Sequence, residues 1–406
     1  MKAQGTIKGE PEAKRVKCDD APGAASAEGE SEQKKLKIQG MGDPGKDSGK
    51  QAQDEESGNS ASKALFEMVG DMDKDIKSIV TFVQSEKPQV FYQDEETGES
   101  VLMRASANGR MDVVRFLLEK GAPWNALDRK GKCAGEYALD KAHQHIVDLL
   151  VDHGVKAEMI LGTLETRRIE RGPNTASNDD YLKSDVEYTK DEQKLMDPNG
   201  DAVMMEWERP LMRLHAQVLC SGGIEKETPS ESKTKSTRDI LNVGFGMGII
   251  DSYIQEFGAK THTIIEAHPQ VYKRMLEQGW DKKPGVRIVF GRWQDVIDDL
   301  GPFDGVFFDT YGEYYSDLKK FQERLPKIMR DGGIYSFFNG LCPRNIFFHG
   351  VCCQVVQLEL KAMGFSCDFF PCELQTEANS EKTWDGVKRR YWWNDTYYLP
   401  VASFTK

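Results

Sequence analysis

The chain has 406 residues, eight of them cysteine, and a formal net charge of −12 with a sequence pI near 5.3. That length suggests two or three domains at the usual ~100–200 residues each. The acidic balance argues against a general nucleic-acid binder, which needs a basic face to neutralise phosphates. No run approaches the ~18 apolar residues of a membrane span, and the polar beginning does not read as a signal peptide. No cysteines stand in Cys-x-x-Cys spacing, so no zinc or other metal site is expected, and reduced thiols of a cytoplasmic or nuclear protein are.

Residues 1–60 are rich in Gly, Ser, Ala, Lys and Glu and nearly free of large apolar side chains. Such a tail cannot bury enough surface to offset its ordering entropy, and disorder is expected. Within it, Lys14, Arg15 and Lys17 after Pro11 read equally well as a short nuclear-import signal and as a solvated charge cluster. Across residues 61–157 the chain repeats itself. Ala105 and Ala138, Val114 and Val147, Leu117 and Leu150, and Gly121 and Gly154 are each 33 residues apart, the ankyrin period of paired antiparallel helices and a glycine turn. Val113–Ala122 and Ile146–Gly154 are expected to be second helices. His143 and His145 fall at a helix end, where a structural role is the expectation.

Residues 158–406 read as an α/β domain. Ala202–Ala216 has the spacing of an amphipathic helix, with Trp207 and Glu208 near its start and Pro210 in the first turn. Its methionines, Met204 and Met212 among them, offer soft, polarizable surface. Ser221–Arg238 is a polar insertion read as a mobile loop. Then comes D-I-L-N-V-G-F-G-M-G-I-I-D, Asp239–Asp251: a short apolar strand, a glycine turn at Gly244, Gly246 and Gly248, and a helix start. Thr263–Glu266 is a second strand, ending in a carboxylate 22 residues after Gly244, placed to accept hydrogen bonds from both hydroxyls of a ribose.

The glycine turn alone fits a nicotinamide dinucleotide and S-adenosyl-L-methionine about equally. Downstream features decide for the second. Phe303–Tyr311, F-D-G-V-F-F-D-T-Y, reads as a buried strand that delivers Asp309 into the crevice at the strand ends. Asp331–Asn339 is a turn into another buried strand. The terminal R-Y-W-W-N-D-T-Y-Y-L-P-V-A-S-F reads as two strands about an Asn-Asp turn, the antiparallel close of a seven-stranded Rossmann-like class I methyltransferase sheet. A six-stranded dehydrogenase sheet would lack it.

In order, V-M-x-x-W-E-x-P-x-M, V-G-F-G-M, I-I-E, G-x-W-x-D at Gly291–Asp295, F-D-G-x-x-x-D-T-Y and the aromatic ending resemble guanidinoacetate methyltransferase. With ankyrin-like repeats ahead of them, they resemble more closely the fungal protein arginine N5-methyltransferases, the δ-nitrogen or type IV class. The resemblance implies that Gly244, Phe245, Gly246, Met247, Gly248 and Ile249 wrap the methionine part of S-adenosylmethionine. It further implies that Glu266 holds the ribose, that Ala267, His268, Trp293 and Gln294 lie by the adenine, and that Met204, Met212 and Asp309 line the cofactor. Tyr188 is expected to cover it, with Tyr181 as the alternative. Glu208 and Asp309 are expected to grip a guanidinium. Leu341 and Cys342 replace the hydroxyl residues that hold a small substrate's carboxylate, which suits an arginine within a protein. The implied enzyme is monomeric and acts in cytoplasm and nucleus, with a small-molecule guanidino methyltransferase as the alternative.

Overall fold

A computed structural model describes residues 48–169, 178–223, 236–342, 344–374 and 376–405. The candidate import signal and the core of the polar insertion lie outside the described residues. The chain divides into two units, one running to Leu161 and the other beginning at Gly162.

The first unit is all helical. Its first helix, Ser48–Gly70, opens inside the stretch expected to be disordered through residue 60. Helix pairs follow at Val101–Ala107 with Met111–Glu119, and at Ala134–Asp140 with Gln144–Ile169. The 33-residue period holds because Val113, Val114 and Leu117 and, one repeat on, Ile146, Val147 and Leu150 are all buried along one stripe. Ser100 caps the first of these helices by accepting from the Met103 amide. His143 binds the Ala107 carbonyl oxygen at 3.2 Å, a structural role at a helix junction.

In the second unit a small antiparallel sheet, β1 (Glu187–Tyr188), β2 (Lys194–Met196) and β3 (Ala202–Met205), precedes the main one. Ala202–Met205 is therefore a strand, not the start of a helix. Its register with β2 sets Met204 opposite Leu195, so the apolar residues pair across strands. A 3-10 turn at Glu206–Glu208 leads into the helix Arg209–Ser221, where Pro210 is tolerated in the first turn.

The main sheet comprises β4 (Asp239–Val243), β5 (Thr261–Glu266), β6 (Val286–Phe290), β7 (Phe303–Phe308), β8 (Met329–Phe337), β9 (Phe365–Glu373) and β10 (Thr396–Phe404). Their order is β6-β5-β4-β7-β8-β10-β9, parallel except for β10, which runs antiparallel to both neighbours. β4 is buried throughout, as a central strand covered on both faces must be. Its alternate residues enter different cores. Ile240 packs with Leu211 and Ile254, while Leu241 and Val243 pack with Ile297 and Phe321. The seven-stranded Rossmann-like sheet matches expectation, but its closing hairpin does not. β10 pairs with β9, and Arg390–Trp393 forms no strand, lying instead in a long connection from Leu374 to Asp395. The aromatic run resembled a strand because its side chains are apolar; they are spent on a cluster described below.

Candidate active site

After β4 the chain runs outward to β5 and β6 and returns to β7, so the sheet's switch point lies between β4 and β7, where open α/β sheets place their crevice. Gly244 and Asp309 leave the ends of these two strands. The Asp309 amide donates to the Val243 carbonyl at 3.0 Å, and a Cβ on Gly244 would lie 1.9 Å from the Asp309 carbonyl oxygen. Gly244 also has φ 93°, a left-handed conformation. The space its side chain would need is thus filled by the protein's own backbone, not by a ligand. A Cβ on Gly246 would likewise meet the Met204 sulfur at 2.8 Å. This sulfur lies 3.3 Å from the Met247 amide, so β3 presses on the turn from above. Phe245 points into the core against Trp280, and Ile249 is buried where the next helix begins.

Glu266, at the end of β5, is 7 % exposed. Its carboxylate accepts from the Phe245 amide at 2.9 Å and the His268 amide at 2.6 Å. Burial raises its pKa, opposed by these amide hydrogen bonds. The carboxylate therefore ties the glycine turn to the end of β5. His268 caps the following helix through Nδ1 and lies 3.1 Å through Nε2 from the Ser184 carbonyl. Ala267, between these two residues, is partly exposed.

Tyr188 and Tyr181 take different places. The Tyr188 hydroxyl donates to the Gly246 carbonyl at 2.8 Å, with the Arg274 guanidinium 3.9 Å from its ring centre. Tyr181 packs between His268, at 4.9 Å, and Tyr311, at 4.8 Å. Met212 is fully buried in the core. Trp293, expected to face an adenine, turns inward against Phe308 and Phe321 and is 5 % exposed. Its indole N–H donates to Glu313, which also takes the Gln294 amide and the Thr310 hydroxyl. Trp293 looked like a ligand contact because it follows a strand, yet the pull of an aromatic core is stronger.

The two acids expected to grip a guanidinium come from separate elements, the 3-10 turn and the end of β7. Glu208 is 3 % exposed, and its Oε1 accepts from the Met205 amide at 2.9 Å and from the Tyr391 hydroxyl at 2.5 Å. Asp309 keeps some exposure, yet burial pushes its carboxyl up to about 7. Burial first, then Glu208 and Asp309 together, hold the Tyr391 hydroxyl well above the ordinary tyrosine range, and both acids act in the same direction on Tyr397. Of the two carboxylates, Glu208 makes the direct hydrogen bond, to the Tyr391 hydroxyl. Tyr397 belongs to a buried relay. The Asn339 amide donates to its oxygen at 2.8 Å, and that hydroxyl lies 2.9 Å from His215 Nε2. On the far side, His215 Nδ1 is 2.7 Å from Ser336 Oγ, which donates to the Pro400 carbonyl. These partners fit a neutral imidazole protonated at Nδ1, in keeping with burial that lowers His215 to about 3. The relay fixes the start of the Asn339–Cys342 loop.

Cys342 and Cys352 are disulfide-bonded, which corrects the expectation of thiols throughout; Cys133, Cys220, Cys353, Cys367 and Cys372 are free. The loop is held to the helix Ile346–Ala362 by His349 Nδ1 as well, 2.6 Å from the Leu341 carbonyl. The neighbouring Cys353 faces inward and meets the Asn339 amide group at 3.6 Å.

A family model described as guanidinoacetate N-methyltransferase matches residues 171–342, and one for ankyrin repeats in three copies matches residues 71–159. Protein arginine N-methyltransferase 2 of Cryptococcus neoformans is 34% identical over 352 residues, 81% of this chain and 92% of its own. Its namesake in Saccharomyces cerevisiae is 32% identical over 333 residues, 72% of this chain and 78% of its own. The chain belongs to the protein arginine N-methyltransferase 2 family. It is a methyltransferase of the protein-arginine type, and S-adenosylmethionine is its methyl donor. Among solved structures, TYW2 of M. jannaschii in complex with AdoMet covers 54% of this chain and 84% of its own at 11% identity and a TM-score of 0.33.

Three groups of residues around the candidate site escaped the sequence reading. Tyr391 was hidden in an aromatic run read as a strand. Glu313 follows the D-T-Y motif by two residues, beyond the strand that drew attention. His215, Ser336 and Tyr397 come from three distant segments, and no local pattern joins them.

Proposed function

We propose that this enzyme monomethylates the δ (N5) nitrogen of an arginine in a protein substrate. The observations that support the reading are a buried Glu208 carboxylate hydrogen-bonded to Tyr391, an Asp309 carboxyl just past the end of β7, and the upward push that both acids exert on the Tyr391 and Tyr397 hydroxyls. A guanidinium is planar and protonated, and its lone pairs are delocalised. Two carboxylates accepting from its terminal N–H groups make charge-assisted hydrogen bonds. They draw the positive charge to that end and raise lone-pair density on the nitrogen that bears the carbon chain. Asp309, with its raised pKa, is suited to take the proton that nitrogen gives up near neutral pH.

S-adenosylmethionine supplies an electrophilic methyl group on a sulfonium. The residues fit that cofactor: the turn Gly244–Ile249 and Met204 would hold its methionine part, Glu266 its ribose, and Tyr188 would cover it. His268, Ala267 and Tyr181 would flank the adenine. Holding nitrogen and methyl in line accounts for most of the acceleration. Leu341 and Cys342 offer no hydroxyl to a free substrate carboxylate, which favours a protein-borne arginine over guanidinoacetate. The ankyrin-repeat unit would dock the protein carrying it.

The test is incubation with labelled S-adenosylmethionine and a fungal lysate, followed by fragmentation of the methylarginine recovered from the labelled protein. δ-N-methylarginine is expected, and a product carrying only ω-methylation overturns the assignment.

A further inference from the structure

The connection from β9 to β10 supplies a part of the site that no sheet strand provides. Its neck is closed by the Leu374 amide on the Asp395 carbonyl at 2.8 Å. Three contacts fasten its far end to the small sheet ahead of Glu208. Arg389 holds Asp201 through Nε, at 2.9 and 3.0 Å, and through Nη2, at 2.5 Å. The Lys388 amide donates to the Gly200 carbonyl at 2.8 Å, and Lys194 Nζ donates to the Asp385 carbonyl at 2.5 Å. Between these anchors the Tyr391 ring packs 4.9 Å from Trp384, nearly perpendicular, and 5.9 Å from Trp207, the residue next to Glu208. Trp207 also packs against Trp384 and Trp392, at 6.0 and 5.6 Å.

We infer that Tyr391 is a positioning residue for Glu208 and that the strap 376–395 is part of the active site. This rests on the reading of Glu208 as a guanidinium ligand. Glu208 Oε1 takes two donors from different segments, the Met205 amide of its own turn and the Tyr391 hydroxyl of the strap. One donor leaves a carboxylate free to rotate; two fix its plane. An O–H···O⁻ hydrogen bond of this length is among the stronger protein hydrogen bonds, so it resists the turning that a docking guanidinium would otherwise impose. Ring packing alone does not require the hydroxyl to meet the carboxylate. The geometry therefore assigns the phenol oxygen a task separate from the ring's. The strap's own sequence, not the sheet, then determines how well the acid faces its substrate.

The experiment uses the full chain saturated with S-adenosylhomocysteine and titrates N-ethylguanidinium, a bare probe of the clamp, by calorimetry. Tyr391→Phe keeps the ring and is expected to weaken N-ethylguanidinium about tenfold, with S-adenosylhomocysteine affinity unchanged within about twofold. In a Glu208→Gln background the same substitution should add less than about twofold, because its effect passes through that carboxylate. Equal losses in both backgrounds, or no loss in either, would reduce Tyr391 to packing and overturn the inference. Should Tyr391→Phe fail to accumulate, Arg389→Gln loosens the strap from outside the aromatic cluster, with a loss of about threefold expected and no change counting against the proposal. A wild-type chain that binds S-adenosylhomocysteine but not N-ethylguanidinium would instead sink the two-acid reading itself.

Discussion

The two halves of the proposed site are built in opposite ways. The cofactor half is main chain: β4 and β5 lie side by side, their ends meet through backbone amides on Glu266, and Gly244 abuts the Asp309 carbonyl. The acceptor half is side chain: Glu208, Asp309 and Tyr391 come from a 3-10 turn, a strand end and a strap, and a hydroxyl–carboxylate hydrogen bond joins Tyr391 to Glu208. The first half should therefore be sensitive to any added atom and the second to any lost charge or hydrogen bond. Substitutions that cross this division are the sharpest way to break it.

The largest effect is expected in the acceptor half. Glu208→Gln keeps shape and removes charge, so turnover of the labelled protein substrate should fall about 10²–10³-fold, the usual cost of deleting one preorganised electrostatic contact. Cofactor affinity, measured by calorimetry, should stay within about threefold. Loss of both together would mean that Glu208 supports the fold and that the division fails. In the cofactor half, Gly244→Ala adds one carbon that would lie 1.9 Å from the Asp309 carbonyl oxygen. Strands β4 and β7 must part to admit it, at a cost of about 3 kcal/mol or more read from denaturant unfolding. A folded, fully stable Gly244→Ala chain would show that the backbone contact is soft.

Glu266→Ala tests the boundary between the halves. It removes the ribose acceptor and strands two amides, and cofactor Kd should rise about tenfold to a hundredfold by calorimetry. Turnover at saturating cofactor should change much less, since the acceptor acids are untouched. A fall in turnover equal to that of Glu208→Gln would show the halves to be coupled.

The same division decides what was legible in the sequence. The glycine turn, the T-I-I-E strand and F-D-G-V-F-F-D lie within contiguous βαβ segments, so their spacing alone announced the sheet and the place of Asp309. The 33-residue repeat was legible for the same reason, since each repeat packs on its sequence neighbour. Tyr391 was not. Its partner Glu208 is 183 residues away, and Arg-Tyr-Trp-Trp carries the composition of a strand without its pairing. Ala202–Met205 was misread because two methionines suit a helix face and a short buried strand equally. The Cys342 disulfide was invisible because His349 and the loop geometry, not spacing, bring its partner near.

The smallest shift expected, a few degrees in melting temperature, is also the one that separates function from stability. Burial raises Asp309 from its ordinary 3.8 to about 7. The folded chain therefore holds a proton there that the unfolded chain has released, across the window from about pH 4 to about pH 7. Because the folded state binds more protons, stability must fall as pH rises through that window, and the deficit is complete above it. Asp309→Asn replaces the buried charge with a neutral group of the same shape. It should melt at the same temperature as the parent near pH 4 and a few degrees higher at about pH 8, while methyl transfer is lost at every pH. In the parent enzyme the acid limb of kcat/KM should rise through about pH 7, where Asp309 becomes able to accept a proton. If the Asp309→Asn chain proves no more stable than the parent on the alkaline side, the carboxylate already has a compensating partner. The acceptor half would then carry no stored cost for its chemistry.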